Sequence, residues 1–206
     1  MQIIKSDVNL IWITPNAEKV IELAGRTCYK SEDAITEDSC VKFIEMLMSR
    51  KHESVLEHAC ACLKFICDRG VSHELVRHRL ASYSQESTRY CNYGKKKFGN
   101  EITVIEPPGL TERGKSEWRT CCIFAEKYYL ELLNEGTAPQ IARSVLPTCL
   151  KTEIVVTANL REWRHILRLR RSKAAHPQIK EIMDIAFEIL YKECPNVFGD
   201  LLTKET

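Results

Sequence analysis

The chain has 206 residues, 44% of them hydrophobic and 28% charged, with a formal net charge of +2. That composition suits a globular domain with a real core, and near-neutrality excludes a polycation drawn to nucleic acid by bulk charge. No apolar run approaches the roughly 20 residues that span a bilayer. The opening MQIIKSDVNL lacks the charged-then-apolar layout of a signal peptide, so a cytoplasmic protein with no membrane partner is expected.

Residues 8–13, VNLIWI, read as a strand. Thr14 is expected to cap a helix with Pro15 at its first position, and Thr36 to cap a second over 37–50, with acidic residues in its first turn and Arg50 in its last. HACACLKFIC (58–67) has small or apolar residues on both faces, as a buried strand does. Gly70 follows, and Ser72 is expected to cap a short helix that runs into RHRLASYSQESTR (77–89). Residues 94–109 read as a Lys- and Gly-rich surface loop around one short strand, in a hairpin or at a sheet edge. A long helix is predicted over 112–134, stopped by Gly136, and a short one from Thr137 and Pro139, ended before Pro147. EIVVTAN (153–159) reads as a strand, followed by two helices, LREWRHILRLRR and HPQIKEIMDIAFEILYKEC. No repeat or linker divides the chain. The expectation is one domain over residues 1–206, of class α/β (α+β), with a mixed central sheet and flanking helices.

The ten cysteines include one Cys-x-Cys, Cys60 and Cys62, one adjacent pair, Cys121 and Cys122, and no Cys-x2-Cys. Paired zinc spacing is therefore missing, and reduced, mostly buried thiols are expected. His52, Ser54, Glu57 and His58 in HESVLEH are read as hydrogen-bonding or capping groups, since the segment lacks the helical geometry of a His-Glu-x2-His site; no metal is expected.

The arginines carry the functional signal. In LREWRHILRLRRS, Leu160, Trp163, Ile166 and Leu167 form one apolar stripe, and Arg161, Arg164, Arg168 and Arg171 gather elsewhere as a solvated basic face or a surface for phosphates. Arg170 falls within the apolar stripe. A guanidinium cannot shed its proton, so Arg170 should meet an anion, through an internal salt bridge, a snorkelling stem or a ligand. In VSHELVRHRLAS, Arg79 likewise falls on the side defined by Val71, Leu75, Val76 and Leu80. Arg77, His78 and Arg79 could merely offset a helix dipole, but Ser82, Ser84, Ser87, Thr88 and Arg89 follow without a core-building pattern. Arginine forks beside hydroxyls suit phosphate recognition, and the stretch reads as a loop of donors. Arg143 sits in another apolar segment, APQIARSVLP. One shared anionic ligand is the economical account of all three. There is no P-loop, no Gly-x-Gly-x2-Gly turn and no Gly-x-Ser-x-Gly elbow to place it.

Arg77-His78-Arg79, seven residues, then Ser87 resembles the Arg-His-Arg-x7-Ser signature of the flavin-dependent thymidylate synthases. HESVLEH, ARSVLP (142–147) and NLREWRHILRLR (159–170) extend the resemblance in the family's order. It implies the fold peculiar to that family and a homotetramer whose subunits share active sites. It also implies reductive methylation of dUMP to dTMP, with methylenetetrahydrofolate as carbon donor and FAD reduced by NADPH. Carried over by position, Ser54, Glu57, Arg77, His78, Arg79, Asn159, Arg161 and His165 would bind FAD. Glu74, Arg77, Gln85, Glu86, Ser87, Thr88, Arg89, Arg143 and Arg170 would bind dUMP, and Arg170 and Ser87 would act in catalysis, Ser87 by binding or polarising and not by attack. The chain departs from the family's pattern at Gln85, Thr88, His165 and Ala174. Two competing readings are a nucleic-acid module built on LREWRHILRLRRSK and a non-flavin enzyme that binds a nucleotide; purified protein that releases FAD on denaturation separates them.

Overall fold

A computed structural model describes residues 1–202. Strand β1 (Gln2–Ile4) and β2 (Asp7–Ile13) lead into α1 (Ala17–Tyr29) and α2 (Ser39–Ser49). Strand β3 (Cys60–Asp68), α3 (Arg69–Leu75), β4 (Ala81–Gln85) and β5 (Thr103–Ile105) follow, then α4 (Glu112–Asn134) and α5 (Pro139–Ala142). The chain continues through β6 (Lys151–Asn159), α6 (Leu160–Arg170), α7 (Pro177–Glu193) and α8 (Pro195–Phe198). A four-stranded sheet has the order β2-β3-β6-β4, and a two-stranded sheet pairs β1 in parallel with β5. The mixed α/β class is as expected from sequence. No helix among the described residues is long and apolar enough to cross a membrane.

The residues group into two compact units, each assembled from separated segments. One comprises Met1–Asp7, Phe65–Arg77 and Ser84–Ile154. Its core packs Tyr93, Ile102, Val104, Cys122, Tyr129, Ala142 and Leu150. The other comprises Val8–Lys64, His78–Tyr83 and the chain from Val155 onward. Its α6 stripe is buried as the periodicity requires: Leu160, Trp163, Ile166 and Leu167 are each at most 1% exposed. Trp163 Nε1 also donates to the Ala61 carbonyl at 3.0 Å. Gly25 lets α1 lie close against α2, because a Cβ there would come within 2.6 Å of the Phe43 ring.

Several helix starts differ from the expectation, because the groups that would have capped bond elsewhere. The Thr14 amide and Oγ1 both donate to the Cys60 carbonyl, and Oγ1 accepts from the Cys60 amide at 2.9 Å, so Thr14 is tied to Cys60 just past the end of β2 and α1 begins only after a left-handed Asn16. Thr36 does not cap α2; its amide donates to Ser39 Oγ at 2.8 Å, and Glu37 and Asp38 precede the helix. Helix α3 is capped by Asp68, which accepts from the Val71 amide at 2.7 Å, while Ser72 lies inside it and donates to the Arg69 carbonyl. Because α3 ends at Leu75, the helical stripe drawn through Arg79 does not exist; Leu80 is 74% exposed and Arg79 is exposed. Residues 81–85 form a strand where a donor loop was expected. Strand β5 has β1 as its parallel partner, which excludes the hairpin and leaves the edge strand. Helix α5 is entered from Ala138, with Pro139 at its first position, and Thr137 instead donates its amide to the Leu132 carbonyl at the end of α4.

The basic face of α6 is also redrawn. Arg164 is fully buried: its Nη atoms donate to both Asp200 carboxylate oxygens at 2.6 Å, to Glu53 at 3.4 Å and to the Val197 carbonyl. Arg171 donates to Asp184 at 2.8 Å and lies 3.7 Å over the Phe187 ring. Only Arg161 and Arg168 of the four are exposed, and these pair with Glu57 and Glu53. The stripe pattern could not register this, because an arginine buries readily once carboxylates from distant segments neutralise it.

Candidate active site

In the first unit, β4 leads into a turn that carries the end of the arginine-rich motif. Gln85 is committed internally, donating to Ser72 Oγ at 2.8 Å and Thr152 Oγ1 at 3.2 Å. Glu86 accepts from Tyr93 OH at 2.7 Å and from Lys151 Nζ at 3.1 Å. Ser87 shapes the turn: its Oγ accepts from the Arg89 amide, and its carbonyl accepts from the Tyr90 and Cys91 amides. Thr88 is buried, and its hydroxyl accepts from Arg143 Nη1 at 3.1 Å across 55 positions of sequence. Arg89 and Arg77 are exposed; Glu74 is half-buried on α3.

Thr88 and Arg143 line a cavity of about 280 Å³ together with Arg69, His73, Ser144, Leu146, Pro147, Thr148 and Leu150. Two guanidiniums, an imidazole and three hydroxyls face it, and among the described residues no carboxylate lines it. That donor set suits a phosphate-bearing ligand. Arg69 and His73 were not singled out from sequence. The available signal was their spacing: four residues apart on a helix places both on one face.

In the second unit, His78 is buried, and its Nε2 accepts from Arg170 Nε at 3.1 Å. Arg170 thus meets a neutral imidazole at its Nε. Burial, the Arg170 charge and His165 push the His78 pKa down from 6.5 to about 4. Its proton at neutral pH is therefore placed on Nδ1, which faces Glu162 at 4.0 Å; that contact is not an ion pair, because His78 is uncharged. His165 meets the His78 ring edge-on, and Tyr83 OH donates to the His78 carbonyl at 2.6 Å. His78, Glu162 and His165 bring three ligand-type atoms within 4.8 Å of one another. A metal on Nδ1 would need the proton moved to Nε2, which already accepts from Arg170, so the geometry favours the hydrogen bond.

The remaining expected flavin residues lie in this same unit. Asn159 Oδ1 caps α6 by accepting from the Glu162 amide at 2.8 Å. Exposed Arg161 donates to exposed Glu57 at 2.5 Å. Ser54 and Arg161 line a cavity of about 310 Å³ with Tyr29, Lys51, His52 and Glu53 among its other walls. Lys51 and Arg161 put two cations on its rim, against the one Glu53 carboxylate, which suits a pyrophosphate-bearing cofactor. Arg79 and His165 are exposed.

These features define a mixed α/β protein with arginine- and hydroxyl-lined cavities for anionic ligands. Comparison with known proteins specifies the family. Residues 9–196 match the family model described as thymidylate synthase complementing protein. The chain is 32% identical to the flavin-dependent thymidylate synthase of Geobacter sulfurreducens, over 94% of this chain and 85% of that one. It is 33% identical to that of Corynebacterium glutamicum, over 95% and 84%. Its fold matches the crystal structure of the UMP/dUMP methylase PolB from Streptomyces cacaoi bound with 5-Br dUMP. The TM-score is 0.85 at 22% identity, covering 99% of this chain and 98% of that chain. The chain belongs to the flavin-dependent thymidylate synthase family and is an enzyme of the methyltransferase class.

Proposed function

We propose that the protein converts dUMP to dTMP with methylenetetrahydrofolate as carbon donor and FAD, reduced by NADPH, as hydride source, and that it works as a cytoplasmic homotetramer. The observation that carries this reading is the Thr88–Arg143 hydrogen bond on the wall of the carboxylate-free cavity. It joins the end of the Arg-His-Arg-x7-Ser motif to a second segment of the family pattern. Ser87, Thr88, Arg89 and Arg143 bind the nucleotide phosphate. The half-buried Glu74 and Gln85, with Arg77, stand beside that subsite in sequence and complete it from their own or a neighbouring subunit.

Arg77, His78, Arg79, Asn159, Arg161, His165, Ser54 and Glu57 hold FAD, whose reduced form supplies hydride. Arg170 stabilises negative charge that develops on a uracil carbonyl oxygen as the ring accepts hydride at C6. Its Nε bond to His78 fixes the guanidinium plane, so little reorganisation accompanies the reaction. This scheme requires no protein nucleophile, and burial raises the pKa of Cys67, Cys122 and Cys194 to about 12, which disfavours thiolate at those three. The nucleic-acid reading loses support because Arg164 and Arg171 are spent inside the fold.

Binding of dUMP to the flavin-loaded protein, followed by calorimetry, tests the reading. Each hydrogen bond from a guanidinium to the nucleotide contributes about 1.5–3 kcal/mol. Arg143→Ala and Arg170→Ala are therefore expected to weaken dUMP by at least about tenfold, with FAD content retained. Unchanged affinity in folded Arg143→Ala protein refutes the site.

A further inference from the structure

The geometry points to Glu86 as a positioning residue that anchors the Ser87–Arg89 turn, and with it the nucleotide-phosphate subsite, through Tyr93 and Lys151. This rests on the dUMP reading above but assigns Glu86 a role other than touching the nucleotide.

All four polar groups of Glu86 are engaged. Its amide donates to the Glu153 carbonyl at 2.8 Å, and its carbonyl accepts a long bond from Arg69 Nη1 at 3.5 Å. One carboxylate oxygen takes the Tyr93 hydroxyl at 2.7 Å and the other the Lys151 ammonium at 3.1 Å. Lys151 is held in turn by Glu153 at 2.6 Å. The Tyr93–Glu86 bond spans the neck of the loop whose tip is the Ser87–Cys91 turn, closing it across seven residues. Tyr93 itself is fixed in the core, packed against Phe98 and Tyr129, with its amide donating to Tyr129 OH. The loop that presents Ser87, Thr88 and Arg89 is therefore tied to a rigid core at one point and to β6 at another.

The placement of the side chain supports the same conclusion. Glu86 lines a cavity of about 370 Å³ with Cys91, Tyr93, Phe98 and Lys151 among its neighbours. Thr88, two residues on, lines the separate cavity that holds Arg143. A carboxylate aimed into a phosphate subsite would repel its ligand. Here it is turned away and compensated by a lysine whose pKa is raised by Glu153 and Glu86 against the opposing effect of burial. Burial and the Glu86 carboxylate likewise raise the Tyr93 pKa, keeping its hydroxyl a donor. Preorganised loops bind more tightly because less ordering remains to be done on association.

The test uses the flavin-loaded enzyme and the variants Tyr93→Phe, Lys151→Met, Glu86→Gln and Arg143→Ala, each measured for dUMP affinity, kcat, KM and melting temperature. Tyr93→Phe and Lys151→Met are expected to raise the dUMP Kd and KM by about five- to tenfold, with kcat at saturating dUMP within about twofold of wild type. A lower melting temperature with wild-type dUMP affinity in the folded fraction would make the network merely structural and overturn the inference. Weakening by Glu86→Gln alone, with Tyr93→Phe and Lys151→Met silent, would overturn it too, making Glu86 a direct ligand. If Arg143→Ala weakens dUMP while Tyr93→Phe and Lys151→Met do not, only the anchor fails. If none of the variants changes affinity, the nucleotide subsite itself is wrong. Should Tyr93→Phe not fold, Lys151→Met at the more accessible end decides.

Discussion

Protonating His78 should unlatch Arg170, and the structure sets the scale. The folded protein holds the His78 pKa at about 4, against 6.5 in the unfolded chain, through burial, the adjacent Arg170 charge and His165. Between those values the unfolded state binds the extra proton and the folded state does not. Stability therefore falls as pH drops from about 6.5 to about 4, and is level with respect to this group above that window. At about 1.4 kcal/mol per pH unit, the upper bound on the loss is about 3 kcal/mol. The comparison protein is His78→Gln, whose side-chain oxygen can still accept from Arg170 but cannot titrate. Urea denaturation of both proteins at pH 7.5, 6.5, 5.5 and 4.5 should show wild type losing more stability than the variant as pH falls, with the gap opening below pH 6.5. Glu53 and Asp200, whose pKa values are lowered by arginines, lose their contributions at still lower pH and do so in both proteins. Parallel profiles for the two proteins would refute the neutral, Arg170-bound imidazole.

Two further substitutions test how the elements are held. Arg164→Ala leaves Glu53 and the half-exposed Asp200 with Arg168 alone and takes a donor from the Val197 carbonyl, so a loss near the lower end of 3–5 kcal/mol is expected by urea denaturation. Arg164→Met should lose less, because it keeps the packing of the apolar stem. Asn159→Ala removes the cap of α6 and should cost about 1 kcal/mol, read as a lower melting temperature.

Much of the candidate site was legible as pattern. The Arg-His-Arg-x7-Ser spacing, ARSVLP and NLREWRHILRLR are local strings, and a string survives without its three-dimensional context. The partners were not legible. Nothing near Glu86 in sequence announces Lys151, 65 positions away, and nothing near Thr88 announces Arg143. The Arg69–His73 helix face is readable by spacing alone, but such spacing occurs on any helix and does not by itself mark a site.

The sequence alone determined the elements whose signals are short-range. The length of α4 follows from residues 112–134 and their stop at Gly136, and the buried stripe of α6 follows from Leu160, Trp163, Ile166 and Leu167. Periodicity and chain breakers act within a turn or two, so they can be read without coordinates. Only the tertiary structure decided that Thr14 bonds to Cys60 and does not cap α1, that Arg164 is buried and that β5 pairs with β1. Each of these turns on a polar group choosing between a local partner and a distant one. The distant partner wins when burial makes an unsatisfied donor or acceptor too costly to leave.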